Sequence, residues 1–128
     1  VVKGVLDPED ARRALDAGVD GLVVSNHGGR QLDAVPSTAA ALPQVAEAVG
    51  GQATVIADGG VRNGLDVVKM LALGAEAVII GRAWAWAVAA AGESGVAHML
   101  GSLRADIDVA LALTGQNSVA DLGPDALV

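Results

Sequence analysis

The chain has 128 residues, a formal net charge of −7 and no cysteine, and 52% of its residues are apolar. This composition allows one compact unit with a buried core, and the zero cysteine count excludes disulfides and thiolate metal sites. We expect no metal site. The eight Lys and Arg residues form no cluster and no apolar run approaches the roughly 20 residues of a membrane span, so we expect neither a nucleic-acid partner nor a transmembrane helix.

Four short apolar runs predict β-strands, each followed by a segment with the signals of a helix. The runs cover residues 1–6, 21–25, 54–57 and 77–80. Each is nearly all apolar instead of alternating with polar residues, which is typical of strands buried on both faces of a parallel sheet.

The first two helices are marked by their ends. Asp7 is the expected N-cap of a helix that contains Pro8 in its first turn and stops at Gly18. The second helix begins at Ser37, is expected to begin again at Pro43, and ends at residues 49–50.

The third helix is capped by Asn63 and covers residues 64–73, with Gly74 after its end. Its core-facing stripe is predicted to be Leu65, Val68, Leu71 and Ala72.

The fourth strand leads through Arg82 into an alanine-rich helix that ends at Ala91. Residues 93–114 then predict a separate amphipathic helix, which covers the sheet or packs on a neighbour. The tail from Gly115 has no pattern and is expected to lie on the surface. The apolar stripe of the long helix is Val96, Met99, Leu100, Leu103, Ile107, Ala110 and Leu111.

Four consecutive βα units predict an α/β fold, either a doubly wound sheet or half of a (β/α)8 barrel. The first residues look like a strand already under way, so we expect a fragment, and residues 1–128 would form one partial domain. Because a full barrel takes about 250 residues, we favour the barrel half, with the four strands as its strands five to eight and C-terminal helices added. In both folds ligands bind at the carboxyl ends of the strands.

The ends of the third and fourth strands predict a phosphate site. A glycine-rich turn that leads into a helix offers free N–H groups, and an arginine beside it can bind phosphate oxygens with two hydrogen bonds. Taken alone, either motif can be purely structural or a surface ion pair. The candidate residues are Asp58, Gly59, Gly60, Val61, Arg62, Gly81 and Arg82.

Polar side chains also follow the first two strands. Lys3 lies in an apolar strand, where it either forms an ion pair at the strand end or directs a positive charge into the barrel mouth. His27 and Arg30 lie three residues apart around two glycines, a spacing that can direct a proton acceptor and a carboxylate-binding group to one volume, although both types are common in surface loops. Ser25 either binds a ligand or caps the turn.

Four segments carry a family resemblance: VVKGVLDPEDA, SNHGGRQLD, ADGGVRNGLDVVKMLALGA and IIGRA. They resemble the C-terminal half of the FMN-dependent 2-hydroxy-acid dehydrogenases and oxidases. Within that family their residues are most similar to those of L-lactate dehydrogenases of the quinone or cytochrome type. SNHGGRQLD is specific to that family, whereas DGGVR has relatives in other phosphate-binding barrels. The resemblance implies a TIM barrel with FMN as cofactor.

The resemblance also implies a role for each site residue. Lys3 would lie beside the flavin ring, Ser25 would bond to FMN, His27 would be the catalytic base and Arg30 would bind the substrate carboxylate. Residues 58–62, with Gly81 and Arg82, would hold the ribityl chain and the phosphate of FMN.

The implied reaction oxidises an L-2-hydroxy acid, with L-lactate to pyruvate as the leading case, and passes electrons to a quinone, a cytochrome or oxygen. We expect the fragment alone to be inactive and the full-length form to be a homo-oligomer. We expect a cytoplasmic protein, or one bound peripherally to the inner face of the cytoplasmic membrane. Two alternatives stay open: another flavin or nucleotide barrel that binds phosphate, and a non-catalytic half-barrel.

Overall fold

The computed structural model of the chain describes residues 1–127. Its four strands are parallel and form one sheet in the order β1-β2-β3-β4, which confirms the predicted strands. Because neighbours in the sheet are also neighbours in the sequence, the order has no reversal of the kind that a doubly wound sheet requires. The fold is therefore the (β/α)4 segment of a barrel. The strands are β1 Val2–Val5, β2 Gly21–Val24, β3 Thr54–Asp58 and β4 Ala77–Ile79.

A helix follows each strand, and three of the four helices begin at a capping side chain. The side chains of Asp7, Ser37 and Asn63 accept hydrogen bonds from N–H groups in the first turns of the first three helices, as the sequence predicts. The helices are α1 Pro8–Asp16, α2 Thr38–Val49, α3 Gly64–Ala72 and α4 Arg82–Thr114.

The core lies between the sheet and the helices. Leu22 and Val24 of β2, Leu42 and Val45 of α2, and Ala57 of β3 are all fully buried there. Side chains alternate between the two faces of a strand. Ser25 and Asp58, which directly follow Val24 and Ala57, therefore face the opposite side of the sheet, and that side forms the candidate site.

The expectation that the second helix begins again at Pro43 is wrong. Helix α2 is continuous from Thr38 to Val49, with Pro43 inside it. Proline lacks the N–H that would bond to the carbonyl of Ala39. Ala39 is exposed, so water can satisfy that carbonyl and the helix can continue.

The predicted stripe of α3 is partly wrong. Val68 and Ala72 are buried as expected and Leu71 is half-buried, but Leu65 is 46% exposed and Met70 is buried instead. Helix α3 packs against the sheet and against α4 at once. A single apolar stripe, which assumes one contact surface, therefore describes the buried residues of α3 poorly.

Helix α4 is broken at Ala91 and Gly92, whose backbone angles leave the helical region, so the predicted division into two helices is confirmed. In its second part Leu103 and Ala110 are buried, whereas Leu100 is 52% exposed and does not belong to the buried stripe. The stripe packs on the neighbouring helix α3, which is one of the two positions predicted for it from the sequence. Within residues 1–127 no helix is long and apolar enough to cross a bilayer.

The tail is more ordered than the sequence pattern indicates. It forms two short 3-10 turns, Val119–Asp121 and Pro124–Leu127, and the second contacts α3. Most of its residues are exposed, in agreement with the predicted surface position.

The contact between α3 and α4 depends on the absence of a side chain at Gly64. A Cβ there would lie 2.4 Å from the carbonyl oxygen of Leu103 and 2.5 Å from Cβ of Asp106, whose carboxylate accepts the N–H of Gly64 at 3.1 Å. We expect Gly64→Ala to lower the free energy of unfolding by about 1–3 kcal/mol, because both helix backbones must shift.

Gly101→Ala is the matched control. Gly101 is helical and exposed, and an added Cβ there meets nothing within 4 Å, so we expect a stabilisation of about 0.5–1 kcal/mol. Urea denaturation of both variants measures the two changes. Equal effects of the two substitutions would contradict the packing argument.

Candidate functional site

A cleft of about 620 Å³ lies at the carboxyl ends of the strands, a volume typical of a cofactor or small-molecule site. Of the eleven site residues predicted from the sequence, ten line it, and Ser25 lies beneath its floor. The fold thus brings the four strand ends together as expected. The ten residues are Lys3, His27, Arg30, Asp58, Gly59, Gly60, Val61, Arg62, Gly81 and Arg82.

The hydroxyl of Ser25 connects the ends of β1, β2 and β3. Lys3 Nζ donates a hydrogen bond to Ser25 Oγ at 2.9 Å and forms an ion pair with Asp58 Oδ2 at 2.6 Å. Ser25 Oγ donates to Asp58 Oδ1 and accepts the backbone N–H of His27 at 3.1 Å. We call Lys3, Ser25 and Asp58 the Ser25 cluster.

The contacts of the Ser25 cluster bear on the alternatives left open for Ser25 and for Lys3. Ser25 is 1% exposed and its hydroxyl already uses one proton and two lone pairs, so it caps the turn, and a cofactor contact by this residue stays a prediction. Lys3 forms the strand-end ion pair, yet its side chain is 41% exposed and lines the cleft. The ammonium of Lys3 therefore both forms an ion pair at the strand end and lies at the mouth of the cleft.

A 3-10 turn, His27–Gly29, directs the histidine towards the cleft. Asn26 caps this turn by accepting the N–H of Gly28 at 3.0 Å, and the N–H of Asn26 donates to the buried hydroxyl of Thr38 at 3.3 Å. His27 has a φ of 55°, which is uncommon for a residue other than glycine. Such backbone strain, of order 1–3 kcal/mol, is frequently found at functional sites.

His27 and Arg30 are both exposed to the cleft and free to bind. Neither the imidazole of His27 nor the guanidinium of Arg30 forms a hydrogen bond or ion pair within residues 1–127. The turn therefore presents a proton acceptor and a two-pronged cation to the same open space.

The cleft concentrates positive charge in an acidic chain. Four of the eight Lys and Arg residues line it, although the net charge is −7. Among the described lining residues Asp58 is the one acid, and Lys3 already neutralises it. Arg82 bonds only weakly to the carbonyl of Gly28, at 3.5 Å, and Arg62 has no ion pair in the described chain. Such a field attracts an anionic ligand.

Two glycines of the cleft differ in how closely their neighbours approach them. Gly59 has a φ of 102°, and a Cβ there would lie 3.0 Å from Asn26 Oδ1 and 3.1 Å from Thr38 Oγ1, so packing alone explains it. Gly81 has a φ of −100° and a ψ of −93°, which lie outside the regions that other residues favour, and an added Cβ meets nothing within 4 Å. Packing therefore does not explain this glycine, which borders the cleft, whereas its backbone conformation does favour glycine.

Gly81 also begins α4 without a capping side chain, in contrast to the other three helices. The first turn of α4 lines the cleft, and no side chain within residues 1–127 accepts its first N–H groups. With Arg62 and Arg82 beside them, these groups fit the phosphate of a cofactor.

Some lining residues were missed from the sequence. Trp84 and Trp86 line the cleft and are 51% and 67% exposed. They could have been found, because they follow Arg82 closely and are the only aromatic residues of the chain. The support that Thr38 gives to Asn26 across 12 residues left no sequence signal.

The sequence matches the model of a known protein family. The model of the FMN-dependent dehydrogenases matches residues 1–128. The chain belongs to this family. The family predicted from SNHGGRQLD and the other segments is thereby confirmed.

Curated relatives in this family are named L-lactate dehydrogenase. That of Chromohalobacter salexigens is 59% identical over 128 residues, which are 100% of this chain and 33% of the relative. That of Caulobacter vibrioides is 61% identical over 127 residues, 99% of this chain and 33% of the relative. The chain thus spans about a third of the length of the curated relatives it matches.

Solved structures of mandelate oxidase have the same fold over this region. A variant with a monooxide FMN adduct is 51% identical, with a TM-score of 0.90 over 94% of this chain and 38% of that chain. A variant with (S)-mandelic acid is also 51% identical, with a TM-score of 0.90 over 94% of this chain and 36% of that chain. The predicted barrel fold is confirmed.

Removal of the Ser25 hydroxyl tests the Ser25 cluster. We expect Ser25→Ala to lower the free energy of unfolding by about 1–3 kcal/mol, because a half-buried carboxylate oxygen of Asp58 and the N–H of His27 lose their partner. Ser102→Ala is the control, since Ser102 is exposed on α4 and changes of that kind stay within about 0.5 kcal/mol. Urea denaturation measures both, and a neutral Ser25→Ala would show that the hydroxyl contributes nothing.

Proposed function

We propose that this chain supplies the substrate-binding and phosphate-binding side of an FMN-dependent 2-hydroxy-acid dehydrogenase or oxidase, acting on L-lactate and forming pyruvate. The observation that carries the proposal is the turn with His27 and Arg30, whose side chains have no hydrogen bond or ion pair within residues 1–127 and face a cleft that Arg62, Gly81 and Arg82 also line. Family membership and relatives named L-lactate dehydrogenase support both the cofactor and the substrate.

The residues that would hold FMN lie on three strand ends. Arg62, Gly81 and Arg82 would bind its phosphate, residues 58–61 would follow its ribityl chain, and Lys3 would lie at its ring system. We keep Ser25 as a proposed contact, which would require one of its present partners to give way. When bound, FMN supplies the acceptor for the two electrons that leave a 2-hydroxy acid as it becomes a 2-oxo acid.

His27 and Arg30 would act on the substrate directly. Arg30 would bind the carboxylate with two hydrogen bonds, which fixes the carbon that carries the hydroxyl group. His27 would take a proton from that part of the substrate, since neutral imidazole accepts a proton near neutral pH. The ammonium of Lys3 would stabilise negative charge that develops at the cleft, even though Asp58 shares it.

We propose the domain organisation, the oligomeric state, the location and the electron acceptor from the family resemblance and the named relatives. Residues 1–128 would be part of one barrel domain, the enzyme would be a homo-oligomer in the cytoplasm or on the inner face of its membrane, and its electron acceptor would be a quinone, a cytochrome or oxygen. The three acceptors are separated by measuring turnover with each in turn.

A chimera tests the proposal, because the chain spans a third of its relatives. Residues 1–128 replace the matching third of the Chromohalobacter salexigens L-lactate dehydrogenase. We expect the chimera to bind FMN and its yellow colour to be bleached by L-lactate without oxygen. A folded, FMN-loaded chimera that no 2-hydroxy acid bleaches would falsify the proposed function.

Substitution of His27 in this chimera tests the role of the base. We expect His27→Gln to keep FMN bound and to slow bleaching by L-lactate by about 10²–10⁴-fold, because glutamine fills similar space but accepts no proton. Stopped-flow absorbance measures the rate. His98→Gln on the exposed face of α4 is the control and should leave the rate unchanged. A loss of only about tenfold at His27 would argue against general-base catalysis.

Two arginine substitutions separate binding of the substrate from binding of the FMN phosphate. We expect Arg30→Lys to raise the KM for L-lactate by about tenfold or more, since a point charge replaces a planar two-pronged donor. We expect Arg62→Ala to raise the Kd for FMN by about tenfold or more and to spare KM once FMN is saturating.

Arg104, exposed on α4 and outside the cleft, supplies the controls Arg104→Lys and Arg104→Ala. Fluorescence titration gives the Kd for FMN, and initial rates give KM. If Arg62→Ala changed KM while Arg30→Lys changed the Kd for FMN, the roles assigned to Arg30 and Arg62 would be wrong.

A further inference from the structure

Gly4 lies at an irregularity of β1 beside the candidate site. Val2 pairs with Leu22 and Lys3 pairs with Val23, but Val5 pairs with Val24, so Gly4 is an extra residue in the ladder. Its φ is 96°, which favours glycine strongly. Gly4 therefore forms a β-bulge, a feature that often redirects side chains next to active sites.

The bulge changes which way its neighbours face. In a regular strand, residues two apart point to the same side of the sheet. Here Lys3 points to the cleft, where it contacts Ser25 and Asp58, whereas Val5 is 7% exposed and belongs to the core on the other side. One extra residue thus allows a charged cleft residue and a core residue to lie two positions apart.

The space next to Gly4 is occupied by the ring of His27. A Cβ on Gly4 would lie 2.8 Å from Cε1 of His27, and the next nearest atoms are its Nδ1 and Nε2 at 3.7 and 3.8 Å. The imidazole therefore meets Gly4 through the edge between its two nitrogens. A separation of 2.8 Å is shorter than carbon atoms tolerate, so any side chain at this position requires the ring to move.

We propose that Gly4 is a positioning residue for His27: its missing side chain lets the imidazole lie where it does in the cleft. The effect of Gly4 on catalysis rests on the proposed function. Its effect on the position of the His27 ring does not. Because the obstructed atom is at the free end of a side chain, Gly4→Ala should displace the ring instead of distorting the sheet. The substitution therefore separates the place of the base from the stability of the fold.

Gly18→Ala is the matched control. Gly18 has a φ of 82°, similar to that of Gly4, but an added Cβ there meets nothing within 4 Å. Both variants carry the backbone strain of a left-handed alanine, and only Gly4→Ala presses on His27. A difference between them at His27 therefore reports the contact.

The first experiment needs no activity. The chain contains two histidines, His27 and His98, so protein labelled with ¹³C at histidine Cε1 gives one NMR signal for each. We expect Gly4→Ala to move the His27 signal and leave that of His98 in place, and Gly18→Ala to move neither. An unmoved His27 signal in folded Gly4→Ala, or an equal movement in Gly18→Ala, overturns the proposal.

If Gly4→Ala alone does not fold, the double variant Gly4→Ala, His27→Ala decides. Removal of the imidazole removes the three nearest atoms to the added Cβ, so folding should return. Failure of the double variant to fold while Gly18→Ala folds means that the bulge itself excludes alanine, which also overturns the proposal.

The second experiment uses the FMN-loaded chimera. We expect Gly4→Ala to lower kcat by about tenfold or more and to leave KM for L-lactate within about twofold, since the base moves and the carboxylate-binding Arg30 does not. In a His27→Gln background, Gly4→Ala should have no further effect on the residual rate, because it acts through the histidine.

The outcomes for the two proposals are distinct. An inactive parent chimera rejects the proposed function and leaves the NMR result standing. An active parent chimera in which Gly4→Ala and His27→Gln reduce the rate independently rejects the role of Gly4 and leaves the function standing.

Discussion

The site depends on a charge that must be satisfied where three strands end. Asp58 is 15% exposed in its side chain, and a carboxylate so placed is costly unless it is paired. Lys3 supplies the opposite charge from β1, and the hydroxyl of Ser25, directly after β2, bonds to both. Because the same hydroxyl accepts the N–H of His27, the position of the turn that carries His27 follows from this pairing.

Much of this architecture could be predicted from residue types alone. Apolar runs mark the strands, and Asp7, Ser37 and Asn63 mark the helix starts, since both signals are local in sequence. The consecutive order of the strands then follows from barrel geometry, which places the strand-end residues in one cleft. Ten of eleven candidate residues line the cleft for that reason.

What could not be predicted depends on distances between elements. The continuity of α2 through Pro43 reflects an exposed carbonyl, and the exposure of Leu65 reflects a helix shared between two partners. The full use of the Ser25 hydroxyl arises from partners that are 22 and 33 positions away. The glycine at position 4 reads as an ordinary strand residue until the ring of His27 is seen beside it.

The break in α4 has a consequence for the reach of the molecule. A continuous helix of 33 residues would be a straight rod about 50 Å long, at 1.5 Å per residue, whereas α3, its partner, has 9 residues. Gly92, with a φ of 56° and a ψ of −133°, turns the chain instead. The first part of α4 can therefore begin at the cleft, with Arg82, while its second part lies against the much shorter α3. The chain stays close to the sheet instead of extending far beyond it.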